Sequence, residues 1–333
     1  MRRWLRISLI VIATLSVVYL LGPKPADPVY NHGLPAVPAA GPALDDYIHA
    51  KEAKHHLKPD NEARIVWSDS LHHKTPFAVV YLHGFSASQE EGNPVHRNFA
   101  ARFGCNLYLS RLDGHGIDTS DPLLHMTAES LWKDAEEALS IGKALGDKVI
   151  LMSTSTGGTL ALQLAATYPN DVYAMINMSP NIAINDNLAF LANNPWGLQL
   201  ARAVSKGDFR RGSDKDTERA KYWYTDYRLE GVVQLESLLE STMTPQTFEK
   251  VHQPVLNLYY YKDENHQDPT VKVEAILEME EELGTLDSQK EAIPIPGAGA
   301  HVMGSALTSH DLPAVEKAIN NFAINKLKMT PVR

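Results

Sequence analysis

Residues 148–166 limit the possible folds of this chain more than any other stretch. Lys148-Val149-Ile150-Leu151-Met152 is a run of strand formers that stops at Ser153-Thr154-Ser155-Thr156-Gly157-Gly158. Thr159-Leu160-Ala161-Leu162-Gln163-Leu164-Ala165-Ala166 follows at once with the composition of a buried helix. A strand that enters a helix through so few residues must turn sharply. The two backbones then approach closely, and only small side chains fit beside the turn. Ser155 sits at its centre, with Ser153 and Gly157 two residues away on either side.

The surrounding pattern repeats this theme. Strand-like runs alternate with helical ones from about residue 63 to 183, which argues for a parallel sheet with crossover helices. Ala63-Arg64-Ile65-Val66-Trp67 reads as an early strand, a candidate for antiparallel pairing. Phe77 to Leu82, Leu107 to Ser110, Tyr173 to Met178 and Pro254 to Tyr261 read as further strands. Helices are expected from Pro94 to Phe103 and from Ala128 to Leu145, where Leu131, Ala135, Ala138 and Leu139 share one face. Residues 179–253 carry no clear strand pattern, and Gly231–Leu239 reads as a leucine-rich helix within them.

Three further segments give the turn a context. His83-Gly84-Phe85-Ser86 follows the Phe77–Leu82 strand, Arg111-Leu112-Asp113-Gly114-His115-Gly116 follows the next, and Pro296-Gly297-Ala298-Gly299-Ala300-His301-Val302 lies near the C-terminus. With Ser153-Thr154-Ser155-Thr156-Gly157 between them, these pieces resemble the α/β-hydrolase superfamily over roughly residues 60–325. The resemblance is nearest to its carboxylesterase and monoacylglycerol-lipase-like branch, serine hydrolases with a small helical cap. One departure stands out. The usual turn is G-x-S-x-G, and here Ser153 replaces the first glycine.

The resemblance implies a mostly parallel central sheet flanked by helices, with a cap inserted at about residues 184–250 of a domain covering 43–330. It implies Ser155 as nucleophile and His301 as base, with His310 a rival for the second role. The acid should follow the Pro254–Tyr261 strand. Asp268, three residues before Val271, fits the family spacing, and Asp263 is the alternative. Backbone N–H groups of Phe85 and Thr156 are implied as oxyanion donors, with His83 bracing the loop. Glu90 and Glu91 follow that loop, either touching a polar substrate group or facing solvent. Phe190, Trp196, Phe209, Trp223, Leu235 and Leu238 are candidates for an acyl pocket or for ordinary cap packing. The expected substrate is a small-molecule carboxylic ester, and no cofactor is implied. A peptidase or amidase on the same scaffold, and a non-catalytic binding protein that kept the fold, stay open as alternatives.

The first 22 residues read separately. Arg2, Arg3 and Arg6 precede the uncharged apolar run Ile7 to Leu21, the pattern of a signal-anchor or a cleaved signal peptide. On that reading the segment contacts a membrane, and the catalytic domain lies outside the cytoplasm, anchored or exported. Residues 23–42 hold six prolines among alanines and glycines, the composition of an extended tether. The net charge is −9, and no basic cluster beyond the N-terminus points to nucleic acid. Cys105 is the single cysteine, so no internal disulfide can form. The pairs His55-His56 and His72-His73 lack a third ligand, so no metal site is expected. Glu52, one turn before the first pair, reads as part of a solvated face.

Overall fold

The computed structural model describes residues 2–212 and 217–332. Residues 213–216, inside the expected cap, lie outside the described residues. Seven strands form the central sheet: β1 (Arg64–Val66), β2 (Thr75–Leu82), β3 (Asn106–Leu109), β4 (Gly146–Thr154), β5 (Val172–Met178), β6 (Val255–Tyr259) and β7 (Lys290–Pro294). Their order is β1-β3-β2-β4-β5-β6-β7, with β1 antiparallel to β3 and every other pair parallel.

Parallel strands need crossovers, and the helices supplying them cover both faces of the sheet. Consecutive strand residues therefore point into two different cores. Val80, Leu82, Val149, Leu151 and Met175 face one side, with Leu131 and Trp132 of α4 (Ala128–Leu145) and Leu160 and Leu164 of α5 (Thr156–Thr167). Val79, Tyr81, Ile150, Met152, Ile176 and Leu258 face the other. There they meet Phe99 and Phe103 of α3 (Val95–Phe103) and Ile319 and Phe322 of α11 (Leu312–Asn325). Cys105 is buried in this second core, and burial pushes its thiol up to about 12. The continuous apolar runs of the sequence are thus the mark of strands buried on both faces.

The N-terminal segment corrects an expectation. Residues Arg2–Leu20 form a helix, α1, but no described helix is long and apolar enough to cross a membrane. The uncharged run from Ile7 to Leu21 rises only roughly 22 Å at about 1.5 Å per residue, short of a hydrocarbon core of about 30 Å. Ser8, Thr14 and Ser16 also lower its hydropathy. The expected membrane span is overturned, and the location outside the cytoplasm that rested on it falls with it. The proline-rich segment after α1 is extended and lies against the domain. Tyr30, Leu34 and Val37 pack on the core, Gly33 N–H donates to Tyr168 Oη at 2.8 Å, and Tyr30 Oη meets Ser241 Oγ at 2.7 Å.

Between β5 and β6 the chain builds a cap. It holds α6 (Gly197–Ser205), α7 (Thr217–Tyr222), α8 (Leu229–Thr242) and α9 (Pro245–Phe248). A two-stranded pair, Phe209–Arg211 with Asp226–Arg228, was not expected, because three-residue strands are too short to show a period in sequence. Of the apolar cap residues singled out, Trp223, Leu235 and Leu238 are buried, whereas Phe190 and Trp196 are exposed.

Candidate active site

The site forms at the C-terminal ends of the parallel strands, where β2, β4, β6 and β7 each give way to a loop. Ser155 follows β4 and precedes α5, with φ 53° and ψ −120°, a region that non-glycine residues rarely occupy. The turn is held from three directions. Ser155 N–H donates to Met178 O at 3.1 Å, and Ser155 O accepts from Gly158 N–H at 2.8 Å and Asn181 N–H at 2.9 Å. A β-carbon at Gly157 would lie 1.9 Å from Leu82 O, so the glycine after the serine is required by the neighbouring backbone.

Ser153, the residue that replaces the usual glycine, is anchored by a polar ladder inside the sheet. Its hydroxyl donates to Asn177 Oδ1 at 2.7 Å. Asn177 Nδ2 donates to Asn257 Oδ1 at 2.9 Å, and Asn257 Nδ2 to Glu280 Oε2 at 2.6 Å on α10 (Val273–Glu282). Ser153, Asn177 and Asn257 are register partners on β4, β5 and β6, and all three are fully buried. A β-carbon at Gly158 would sit 2.6 Å from Pro180 Cβ, so the second glycine makes room for that proline. Ser153, Asn177 and Asn257 are polar residues in otherwise apolar strand runs, which is the signal by which the sequence carries the ladder.

His301 lies on the loop after β7, and its Nδ1 donates to Asp268 Oδ2 at 2.7 Å. Asp268 is fully buried, and its other oxygen accepts from Thr270 N–H at 2.8 Å and Val271 N–H at 3.1 Å. Burial would raise the Asp268 carboxyl, but the His301 charge and these hydrogen bonds outweigh it and hold the group below the usual carboxylate range. Burial likewise works against a charged His301, yet Asp268, with Glu91 adding to it, raises the imidazole above its ordinary value. Asp263 lies elsewhere. Its half-exposed carboxylate accepts from His266 Nδ1 at 2.7 Å and caps the turn at Asn265 and His266. His310 is exposed just before α11.

Among the described residues no hydrogen bond joins the Ser155 hydroxyl to His301. The two border the same neighbours. A β-carbon at Gly84 would lie 2.9 Å from Ser155 Cβ and 2.8 Å from Glu91 Oε1, and the charge of His301 acts on that same carboxylate.

The loop after β2 is braced by residues that the sequence suggested only as turn or structural elements. His83 Nε2 accepts from Leu112 N–H at 3.1 Å, so the neutral ring carries its proton on Nδ1, which donates to Gly84 O at 2.9 Å. His115 Nε2 accepts from Ser86 N–H at 2.9 Å, and its Nδ1–H donates to Asp113 O at 2.8 Å. Burial, with the other imidazole next in weight, drives His83 far down, and burial takes His115 to about 4, so both rings stay neutral. His115 is held in turn by Arg111, whose Nη1 donates to His115 O at 3.2 Å. The Arg111 guanidinium forms a two-pronged ion pair with Glu52, at 2.7 and 2.9 Å. Glu52, at the end of α2 (Pro42–Glu52), is therefore buried and paired, where the sequence suggested a solvated face.

These contacts leave one amide open. Gly84 N–H is taken by Glu91 and Ser86 N–H by His115, while the Phe85 N–H between them meets no acceptor among the described residues. Thr156 is the first residue of α5, where an N–H has no partner within the helix. Glu91 itself is 2% exposed, and burial lifts its carboxyl to about 7 against the Gly84 N–H and the charges of His301 and Arg219.

Comparison with known proteins bears on the fold and the family. A chain from LipS and LipT, two metagenome-derived lipolytic enzymes, is 18% identical with a TM-score of 0.64, covering 80% of this chain and 99% of that one. The monoacylglycerol lipase of Paleococcus ferrophilus is 17% identical with a TM-score of 0.59, covering 79% and 98%. A soluble variant of the monoglyceride lipase of Saccharomyces cerevisiae is 14% identical with a TM-score of 0.59, covering 81% and 92%. At these identities the likeness speaks for the fold. No curated protein sequence matches the chain. The family model described as "Serine aminopeptidase, S33" (Hydrolase_4) matches residues 74–279, more than half of the chain, and on that match the protein belongs to this family of α/β hydrolases.

Proposed function

We propose that the protein hydrolyses small carboxylic esters through an acyl-enzyme on Ser155, with His301 as general base and Asp268 orienting it. The observation that carries this reading is the His301 Nδ1–Asp268 Oδ2 hydrogen bond of 2.7 Å beside a serine in the left-handed region at a strand-to-helix turn. A serine hydroxyl is a weak nucleophile until a base takes its proton. With its Nδ1 proton engaged by Asp268, a neutral His301 has its Nε2 lone pair available to Ser155. In uncomplexed hydrolases such serine–histidine contacts are often long and tighten when substrate binds.

Ser155 Oγ attacks the ester carbonyl, and its proton passes to His301 Nε2. The oxyanion that forms meets the N–H groups of Phe85 and Thr156, and the N-terminus of α5 adds its partial positive charge. Collapse breaks the bond to the alcohol, which leaves with the proton from His301. Water, deprotonated by the same imidazole, then cleaves the acyl-enzyme and restores Ser155. Short- or medium-chain acyl esters and monoacylglycerols are the proposed substrates. The lipolytic enzymes and monoacylglycerol lipases that share the fold support this class.

A fluorophosphonate probe is expected to label the protein and to lose its target in Ser155→Ala, with hydrolysis of p-nitrophenyl esters lost in parallel. Unchanged labelling of that variant would remove Ser155 from the role. The family description favours a second reading, in which the scissile bond is the amide of an N-terminal amino acid. Turnover of p-nitrophenyl esters against aminoacyl anilides separates the two.

A further inference from the structure

Glu91 has no part in the reaction as written, yet it is a buried carboxylate at the edge of the proposed site. It belongs to a short helical turn, Gln89–Gly92, directly after the loop that follows β2. Its carboxylate faces three things at once. It accepts the N–H of Gly84. It approaches the backbone of Gly84 from the side that Ser155 Cβ also borders. Two cap side chains also act on it, Trp223 and the charged Arg219, contributed at α7 and just after it. Arg219 in turn stacks over the Trp223 ring, 5.5 Å from its centroid. Trp223 packs with Ala87 of the loop and Val302 beside His301.

This arrangement does something specific to the loop. A peptide N–H that points at Glu91 fixes the orientation of the 83–84 peptide plane. His115 fixes the Ser86 N–H in the same way at 2.9 Å. The 84–85 plane between them is held through Gly84 O, which accepts from His83 Nδ1–H at 2.9 Å and from Ala87 N–H at 3.3 Å, so the Phe85 N–H is aimed as well. We propose that Glu91 is a positioning residue for the oxyanion hole, a latch through which the cap's Trp223 and Arg219 hold the 84–86 loop in its working orientation. The inference rests on the reading of Ser155 and Phe85 given above. It deepens that reading by tying the cap to oxyanion stabilisation.

The test uses the full chain, with active sites titrated by a fluorophosphonate so that turnover is counted per reactive Ser155. A misaimed oxyanion donor costs transition-state stabilisation while ground-state binding survives. Glu91→Ala is therefore expected to lower kcat about 10²-fold with KM within about threefold. Affinity for an acyl-boronate, which mimics the tetrahedral state, should fall in parallel. Glu91→Gln, which keeps an acceptor for Gly84 N–H, should recover part of the loss. Trp223→Phe, which trims the cap side chain beside Glu91 and keeps an aromatic ring, should fall between wild type and Glu91→Ala. If Glu91→Ala does not fold, Glu91→Gln and Trp223→Phe carry the same split between kcat and KM. Turnover per titrated site within twofold of wild type in these variants would overturn the latch and leave the Ser155 reading standing. Failure of the wild-type protein to titrate at Ser155 would remove both.

Discussion

Asp268 meets His301 at 2.7 Å from within the core, whereas Asp263 spends its carboxylate on His266 and a solvent-facing turn. Substituting Asp268→Asn is expected to lower ester turnover by about 10⁴, because the amide leaves the imidazole in the wrong tautomer for proton transfer. Asp263→Asn should stay within about twofold of wild type, since exposed pairs contribute little. Steady-state kinetics on one p-nitrophenyl ester would decide between the carboxylates.

The pH profile follows from the same pair. In the proposed mechanism only neutral His301 can accept the serine proton, so kcat/KM should rise with pH as the imidazole loses its own. Asp268 and Glu91 raise His301 above its ordinary value of 6.5, so the midpoint of the acid limb is expected above that value. Glu91→Gln removes one of the two negative charges and should move the midpoint down. A midpoint unmoved by that substitution would mean that Glu91 and His301 are uncoupled.

Glu91 also makes a stability prediction with a definite sign. Its carboxyl titrates at about 7 in the folded protein against 4.5 when free, so the folded state holds the proton more tightly. Stability is then fully present below about 4.5 and is lost as pH rises towards 7. Glu91→Gln has no proton to lose there. The difference in Tm between variant and wild type should shift in the variant's favour from pH 5 to pH 8.

Ser153 offers a test of the polar ladder. Ser153→Gly restores the commoner form of the turn but strands the buried Oδ1 of Asn177. An unpaired buried acceptor costs about 1–3 kcal/mol, more than the sequence preference for glycine suggests. Urea denaturation should therefore find the variant less stable, with ester turnover per titrated site nearly unchanged.

Glu52 and Arg111 form the buried ion pair behind His115, with side chains 7% and 3% exposed. Glu52→Ala leaves a guanidinium buried without its partner and should cost about 3–5 kcal/mol. Because Arg111 also holds His115 O, and His115 holds Ser86, kcat should fall as well. Chemical denaturation and turnover, measured on the same sample, would separate the two effects.

Much of this molecule could be read locally. The Lys148–Thr167 stretch encodes a strand, a turn too tight for large side chains and a helix, all from neighbours in sequence. Strand alternation into two cores and the helix over Ala128–Leu145 belong to the same class of information. The apolar N-terminal run was legible as a segment apart from the domain. Whether it could cross a membrane depended on its length and polar interruptions rather than on its charge pattern.

The pairings that make a site belong to tertiary structure alone. The spacing to Val271 favours Asp268 over Asp263 in the sequence, but only the fold of the 260–271 segment buries one beside His301 and turns the other outward. Glu52 looked solvated because its partner, Arg111, arrives from another loop. Glu91 reads in the sequence as either a substrate contact or a solvent-facing carboxylate, because the cap that covers it is encoded more than a hundred residues later. Local propensity is set by a residue's own backbone and its near neighbours. Burial, charge pairing and the aim of a peptide N–H are set by which distant elements the sheet brings together.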